Sequence, residues 1–280
     1  MSLIGGHVSI AGGLEKAIIR GEELGCEAIQ IFTSNQLRWA RRGITDARCD
    51  KFQIEWRRSH IGKVVAHCSY LINLASSGTL RQKSINTMIE EIKACDRLGI
   101  DDIVVHPGFR GNLERKESLE RVKDALSTIM GKTLNTRVRI NLESMAGSGT
   151  VIGSTLEELS DILYGLSDND RTGICLDTAH LYASGYDLGS SEAYDRFRSR
   201  LLSLFEPDYV ACWHLNDSSR ELGSNIDRHE NIGEGYLGLQ VFGSIINDPL
   251  WEDVPCILET PKSSNGDRKN LSILRKLRGG

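Results

Sequence analysis

A single-domain (β/α)8 barrel of the TIM type, an α/β fold spanning residues 1–280, is predicted by three observations. Short apolar runs alternate with amphipathic stretches, about eight of each, which is the rhythm of parallel strands joined by helical crossovers. A length of 280 residues suits one such barrel. The third to the eighth apolar runs each end abruptly in a residue able to bind metal or move a proton: His67, His106, Glu143, Asp177, His214 and Glu259. A closed barrel gathers strand ends around one mouth, whereas the alternative, an open doubly wound sheet, spreads them along an edge.

In chain order, the run 3–8 reads as a strand ending near His7 and Ser9, and Gly12 and Gly13 turn it into a helix over 14–24. A strand at 28–32 leads into a loop, 33–42, holding Asn35, Gln36, Leu37, Arg38, Trp39, Arg41 and Arg42. This loop reads either as a plain connection or as a nucleic-acid contact, with guanidinium groups on phosphates and a flat ring beside bases. A helix over 50–60 ends near His60, and the strand 63–66 delivers His67. Tyr70, in the apolar stretch that follows, suits packing or stacking equally. Apolar residues recur every three or four positions over 80–98, which is the spacing of a half-buried helix, and Gly99 stops it. The run 103–105 ends in His106, and Pro107–Gly108 forces a turn. The remaining pattern places helices at 113–129, 155–163, 192–205, 239–246 and 270–277, and strands at 138–142, 174–176, 209–213 and 256–258. Thr178 and Ala179 read as a short connection between Asp177 and His180.

Composition narrows the function classes. A net charge of -4 provides no global attraction to nucleic acid, although a local basic patch or bound divalent cations can offset it. The seven cysteines show no CxxC and no framework spacing, which argues against a secreted disulfide scaffold. Cys26, Cys95, Cys175, Cys212 and Cys256 sit in apolar patterns and read as small buried hydrophobes. With neither a signal-peptide pattern nor a membrane-length apolar run, the expected location is the cytoplasm, away from membranes.

His67, His106, His180, His214 and His229, together with Glu143, Asp177, Asp227 and Glu259, make nine nitrogen or oxygen ligands. Nine is too many for one tetrahedral zinc and suits a cluster. Imidazole with carboxylate and no obligatory thiolate favours zinc first and manganese or iron second, while magnesium would ask for more oxygens. One physically sensible partition puts His67 and His106 on a first metal, with Glu143 bridging to a second completed by Asp177, His214 and Glu259. His180, Asp227 and His229 then hold a third. Such a cluster activates water near neutral pH and opposes charge on a phosphate, with Glu143 or Glu259 orienting the water.

Several segments now acquire a shared meaning. Gly6–His7–Val8–Ser9, the segment 67–74, His106–Pro107–Gly108, the segment 142–147, Leu176–Asp177–Thr178–Ala179–His180 and His214–Leu215–Asn216–Asp217 occur in that order. Asp227–Arg228–His229, Gly233–Glu234–Gly235 and Leu258–Glu259–Thr260 follow them. Together, over nearly the whole chain, they closely resemble the endonuclease IV family of apurinic/apyrimidinic endonucleases. The resemblance implies a barrel holding three zinc ions on the nine residues, partitioned as above. It also implies hydrolysis of the phosphodiester 5′ to an abasic site in double-stranded DNA, leaving a 3′-hydroxyl, with removal of blocked 3′ ends and a place in base-excision repair. A monomer with no obligate protein partner is expected on the same ground. Tyr70 matches a family tyrosine of the DNA-bending, nucleotide-flipping surface, and Asn35–Gln36 and Trp39 match the recognition loop. Leu37 stands where a basic or polar residue is common, with Arg38 beside it as a substitute, and Phe109–Arg110 replaces a small residue followed by a polar one.

Two other classes compete. A metal-dependent sugar isomerase or epimerase can share this barrel, but needs neither the set His180, Asp227, His229 nor the basic aromatic loop around Trp39. A metal-stabilised DNA-binding protein without catalysis leaves a bridging ligand unexplained.

Overall fold

The computed structural model describes residues 1–39, 43–166, 170–262 and 266–279. Arg41 and Arg42 of the expected contact loop therefore lie outside the described residues. Eight parallel strands close into a barrel: β1 (Leu3–His7), β2 (Ala28–Phe32), β3 (Lys63–His67), β4 (Asp102–Val105), β5 (Arg139–Glu143), β6 (Thr172–Asp177), β7 (Val210–His214) and β10 (Pro255–Leu258). Each pairs with its sequence neighbour in the barrel, and β1 meets β10 through Leu3↔Pro255 to Gly6↔Leu258, so no sheet edge is left open. The expected barrel is the one found, and the open sheet is excluded.

Outside the barrel lie α1 (Glu15–Leu24), α2 (Asp46–Arg58), α3 (Gly78–Leu98), α4 (Arg115–Lys132), α5 (Leu156–Tyr164), α6 (Thr178–Ser184), α7 (Ser191–Leu202), α8 (Leu239–Asn247) and α9 (Gly266–Leu277). Their ends have local causes. Thr155 and Ser190 accept hydrogen bonds from the backbone N–H groups of Glu158 and Ala193 and so start α5 and α7. Gly99 ends α3 at φ 76°, a left-handed conformation that glycine adopts without strain. Helix α2 begins four residues earlier than the apolar spacing suggests, because Arg97 of α3 binds both Asp46 and the carbonyl of Ile44. Two elements escaped sequence reasoning: α6, and the small antiparallel pair β8 (Asp217–Ser218) and β9 (His229–Glu230). None of the described helices is long and apolar enough to cross a membrane.

The core has two shells. Trp213, Trp251, Phe52 and Phe242 are fully buried in the larger one, which also takes in apolar residues of the surrounding helices. Inside the barrel, Ala28, Val65, Val104, Cys175, Cys212 and Ile257 form a small apolar layer. All seven cysteines are buried and none forms a disulfide, in keeping with the apolar settings of Cys26, Cys95, Cys175, Cys212 and Cys256. Side chains along a strand alternate between faces, so the residue two positions beyond each inner-layer residue also points inward, one layer nearer the carboxyl mouth. That step takes Val65 to His67, Val104 to His106, Cys175 to Asp177, Cys212 to His214 and Ile257 to Glu259. On β5 it takes buried Asn141 to Glu143, and on β2 it takes Ala28 to Gln30.

Candidate metal centre

The upper layer of the barrel is a polar cluster resting on the apolar one. At its centre is Glu143, fully buried. Its Oε2 lies 3.0 Å from His67 Nε2 and 3.1 Å from His106 Nε2. Its Oε1 lies 3.3 Å from both His180 Nδ1 and His214 Nδ1. One carboxylate thus faces two separate sets of imidazoles. His214 Nδ1 is also 3.3 Å from Glu259 Oε2 and 3.8 Å from Asp177 Oδ2. Nearer the solvent, Asp227 Oδ1 lies 3.3 Å from His180 Nε2 and 3.5 Å from His229 Nε2. All nine residues singled out in the sequence therefore converge.

The groupings differ from the sequence partition in that the third close set is Asp177, His180 and His229, with Asp227 beside it, and a further set joins Cys175 and Cys212 to His214. His67, His106 and Glu143 form one close set, and Glu143, Asp177, His214 and Glu259 a second. Asp177 belongs to the third set as well, with its Oδ2 3.5 Å from His229 Nε2. Its backbone position explains this reach. Asp177 is the last residue of β6 and also the N-cap of α6, accepting from the N–H of His180 at 2.8 Å. Thr178 and Ala179, expected as a connection, are instead the first turn of that helix, and the turn carries His180 to the same side as Asp177.

The electrostatics follow from burial working against neighbouring charge. Desolvation alone would push the imidazoles of His180 and His214 down, but Asp177 beside the first, and Glu259 and Glu143 beside the second, hold both well above the ordinary histidine value. Desolvation would likewise raise Glu143 and Glu259, yet the surrounding imidazoles hold both well below the usual carboxylate range. Asp227 is drawn down to about 2, against its own desolvation, by His180 and His229. The set is thus tightly packed with ionised carboxylates and nitrogen donors, and two of its atoms stay unsatisfied. His180 Nε2 and His229 Nε2 are buried without a hydrogen-bond partner, although a carboxylate oxygen lies within 3.5 Å of each. Two unsatisfied buried nitrogens facing one carboxylate oxygen at 3.3 and 3.5 Å, without hydrogen-bond geometry, suit a shared cation. The donor types fit divalent metal ions.

Residues that the sequence did not single out hold this set in place. The outer nitrogens of His67, His180 and His229 donate to the carbonyl oxygens of Cys68, Ser144 and Glu259 at 2.8, 2.8 and 3.2 Å. Asn216 donates from Nδ2 to Asp177 Oδ2 at 2.7 Å and accepts from the N–H of Glu259 at 2.8 Å. Asp217 accepts from the N–H groups of Ser218, Gly233, Gly235 and Leu237, folding the segment that carries His229 back over the mouth. His7 and Gln30 complete the layer from β1 and β2. His7 closes β1 as His67 closes β3, which was the available signal, whereas Gln30 is the third residue of β2 and carried none.

The candidate recognition residues lie on the rim. Leu37 is 66% exposed and Tyr70 50%. Tyr70 stands 5.5 Å from the ring of His67 and 5.7 Å from that of His106. Asn35 Oδ1 accepts from the N–H of Leu37, and Ser69 Oγ donates to the carbonyl of Gln36, tying the two rim loops together. Arg38 is exposed, whereas Trp39 is half-buried and lines a cavity of about 380 Å³ against α3, beside Thr87 and Arg97.

Fold and site together define a xylose isomerase-like TIM barrel, the family whose model matches residues 19–277. A probable endonuclease 4 of Chloroflexus aggregans is 40% identical over 280 residues, covering 99% of this chain and 98% of its own. The probable endonuclease 4 of Trichlorobacter lovleyi is 41% identical over 277 residues, covering 98% and 99%. The crystal structure of endonuclease IV from Thermus thermophilus matches with a TM-score of 0.89 at 31% identity over 98% of both chains. The chain belongs to the endonuclease IV family of apurinic/apyrimidinic endonucleases.

Proposed function

We propose that this chain is a zinc-dependent endonuclease that hydrolyses the phosphodiester 5′ to an abasic site in duplex DNA, leaves a 3′-hydroxyl, and also clears blocked 3′ ends in base-excision repair. The observation that carries this reading is Glu143, whose Oε2 faces His67 and His106 at 3.0 and 3.1 Å and whose Oε1 faces His214 at 3.3 Å. In this reading His67, His106 and Glu143 would hold one ion, Glu143, Asp177, His214 and Glu259 a second, and His180, Asp227 and His229 a third, with Asp177 near the last set. Zinc, with manganese or iron able to replace part of it, would supply Lewis acidity toward phosphate oxygens and lower the pKa of water.

The chain's own residues do the rest. Glu143 and Glu259, held ionised by their histidines, are acceptors that orient the attacking water. Tyr70 and Leu37 project from the rim as apolar wedges able to fill the space that a missing base leaves. An abasic nucleotide has already lost its stacking, so extruding it costs less than extruding an intact one. Arg38, Asn35 and Gln36 supply polar contacts to the backbone, and Trp39 braces the loop from the α3 side. The enzyme works as a cytoplasmic monomer without a membrane or an obligate protein partner.

The test is a labelled duplex with one abasic site beside an intact duplex and a free ketose, each incubated with protein of measured metal content. The expected product is a single incision whose 3′ end a polymerase extends. Zinc-loaded protein that leaves the abasic strand whole but turns over the ketose would sink the proposal in favour of a sugar isomerase.

A further inference from the structure

An imidazole ligand needs its outer nitrogen engaged, because that bond selects which nitrogen keeps the lone pair and which way the ring faces. For His67, His180 and His229 the outer nitrogen is Nδ1 and its partner is a backbone carbonyl. His214 is turned the other way. Its Nδ1 faces Glu143, Glu259 and Asp177, and its outer nitrogen, Nε2, lies 2.8 Å from the side-chain Oε1 of Gln30. Gln30 is fully buried, so water does not stand in for it.

The Gln30 amide can sit only one way round. Its Nε2 is 2.7 Å from Glu259 Oε1, which can only accept, and 3.1 Å from His7 Nδ1, which itself lies 3.3 Å from the same carboxylate oxygen. Flipping the amide would set Oε1 against the Glu259 carboxylate and point N–H at His214. With the amide fixed, Oε1 accepts the His214 Nε2–H, so the Nδ1 lone pair is left for the cluster. The same amide pins Glu259, a second member of that set, and it comes from β2, a strand that contributes no ligand.

We infer that Gln30 is the positioning residue of the second metal set: it fixes the His214 ring with Nδ1 toward Glu143 and Glu259, and it holds the Glu259 carboxylate. The inference rests on the metal-centre reading above. His67, His180 and His229 are oriented by main chain, which side-chain substitution leaves in place, whereas the outer nitrogen of His214 meets a replaceable side chain. Losing such an outer partner lowers metal affinity by about 10–100-fold.

The experiment uses the full chain loaded with zinc, as wild type, Gln30→Leu and Gln30→Glu. Histidine side-chain nitrogen NMR reads the ring state, and competition with a chromogenic chelator reads zinc. In wild type, His214 is expected to show an exchange-protected Nε2–H and a zinc-bound Nδ1. Gln30→Leu is expected to lose that protection and to release one zinc about 10–100-fold more readily, with the remainder held as before. Gln30→Glu keeps an acceptor for the His214 Nε2–H but sets a second oxygen against Glu259 Oε1, so it is expected to retain the protected resonance while holding the zinc of that set less tightly than wild type. A Gln30→Leu protein with an unchanged His214 signal and unchanged zinc affinity would overturn the inference, as would equal loss of every ion in both variants. Wild type that holds zinc yet cuts no abasic DNA removes the proposed function and leaves this assignment standing. Normal cutting with no effect at residue 30 removes this assignment alone.

Discussion

Asp177 joins two jobs that a pair of substitutions can separate. Its Oδ1 caps α6 through the N–H of His180 at 2.8 Å, and its Oδ2 accepts from Asn216 Nδ2 at 2.7 Å. Asparagine at this position keeps the cap oxygen but turns an amide nitrogen toward Asn216. Asn216 cannot rotate to meet it, because its Oδ1 already accepts from the N–H of Glu259. Two opposed buried donors cost about 1–3 kcal/mol. Asp177→Ala also leaves Asn216 unpaired and loses the cap as well, a further loss of about 1 kcal/mol. In chelator-treated protein, Asp177→Asn should therefore melt roughly 2–5 °C below wild type, and Asp177→Ala about 2 °C lower again. Function should not follow that ranking. Both variants remove the charge facing His214 and His229, so both should lose bound zinc and about 100-fold or more of the incision rate. Calorimetry, metal analysis and abasic-duplex cleavage give the three readings. Full zinc content and wild-type cleavage in Asp177→Asn would refute the shared-ligand role. Equal melting of the two variants would refute the cap.

Other outcomes follow from separate parts of the molecule. Tyr70→Ala, which removes a half-exposed ring above His67 and His106, should weaken cleavage of abasic duplex while leaving bound zinc unchanged; unchanged lesion binding and cleavage would exclude the wedge. Asp217→Ala strands four backbone N–H groups and should cost about 3 kcal/mol or more, with depletion of zinc at His180, Asp227 and His229 first, read by metal analysis during mild warming. Glu27 accepts two bonds from Arg278 and one from the N–H of Ile4, and the Arg278 bonds hold its carboxyl below the ordinary value. Because the folded value is the lower one, this contribution is complete above the unfolded value of about 4.3 and vanishes as pH falls through the folded one. The pair is partly exposed, so Glu27→Gln should cost about 0.5–1 kcal/mol near neutrality, with the difference from wild type closing in acid denaturation below about pH 4.

Much of this was legible before the structure. Strands that are buried on both faces read as apolar runs, and a histidine or acid closing such a run is conspicuous, which is why His67, Glu143 and His214 stood out. Gln30 did not, because a neutral amide in the middle of a strand carries no chemical signature until its neighbours are known. Helix α6 was hidden for another reason. It has seven residues and starts directly on the strand end, so its cap and its ligand are the same residue, Asp177. Asp217 was read only as part of a motif, since its four bonds join backbone groups up to twenty residues away. Trp39 was placed in the right loop, but its direction, toward α3, depends on a contact between distant elements.

The accessibility of the cluster is graded, and this dictates the order in which it can fill and empty. Asp227 is 47% exposed and His106 21%, whereas Asp177 and His214 are sealed. In the set Glu143, Asp177, His214 and Glu259 only Glu259 is open to solvent, at 14%, so an ion held there would leave more slowly than one beside Asp227 or His106. Chelation should show a lag, with fast loss from the flanks preceding slow loss from the middle, and reconstitution should run in the reverse sequence. Excess cation supplied too early would occupy the flanks and block the interior, so the route by which the protein is loaded, as well as its final metal content, should govern how much of it becomes active.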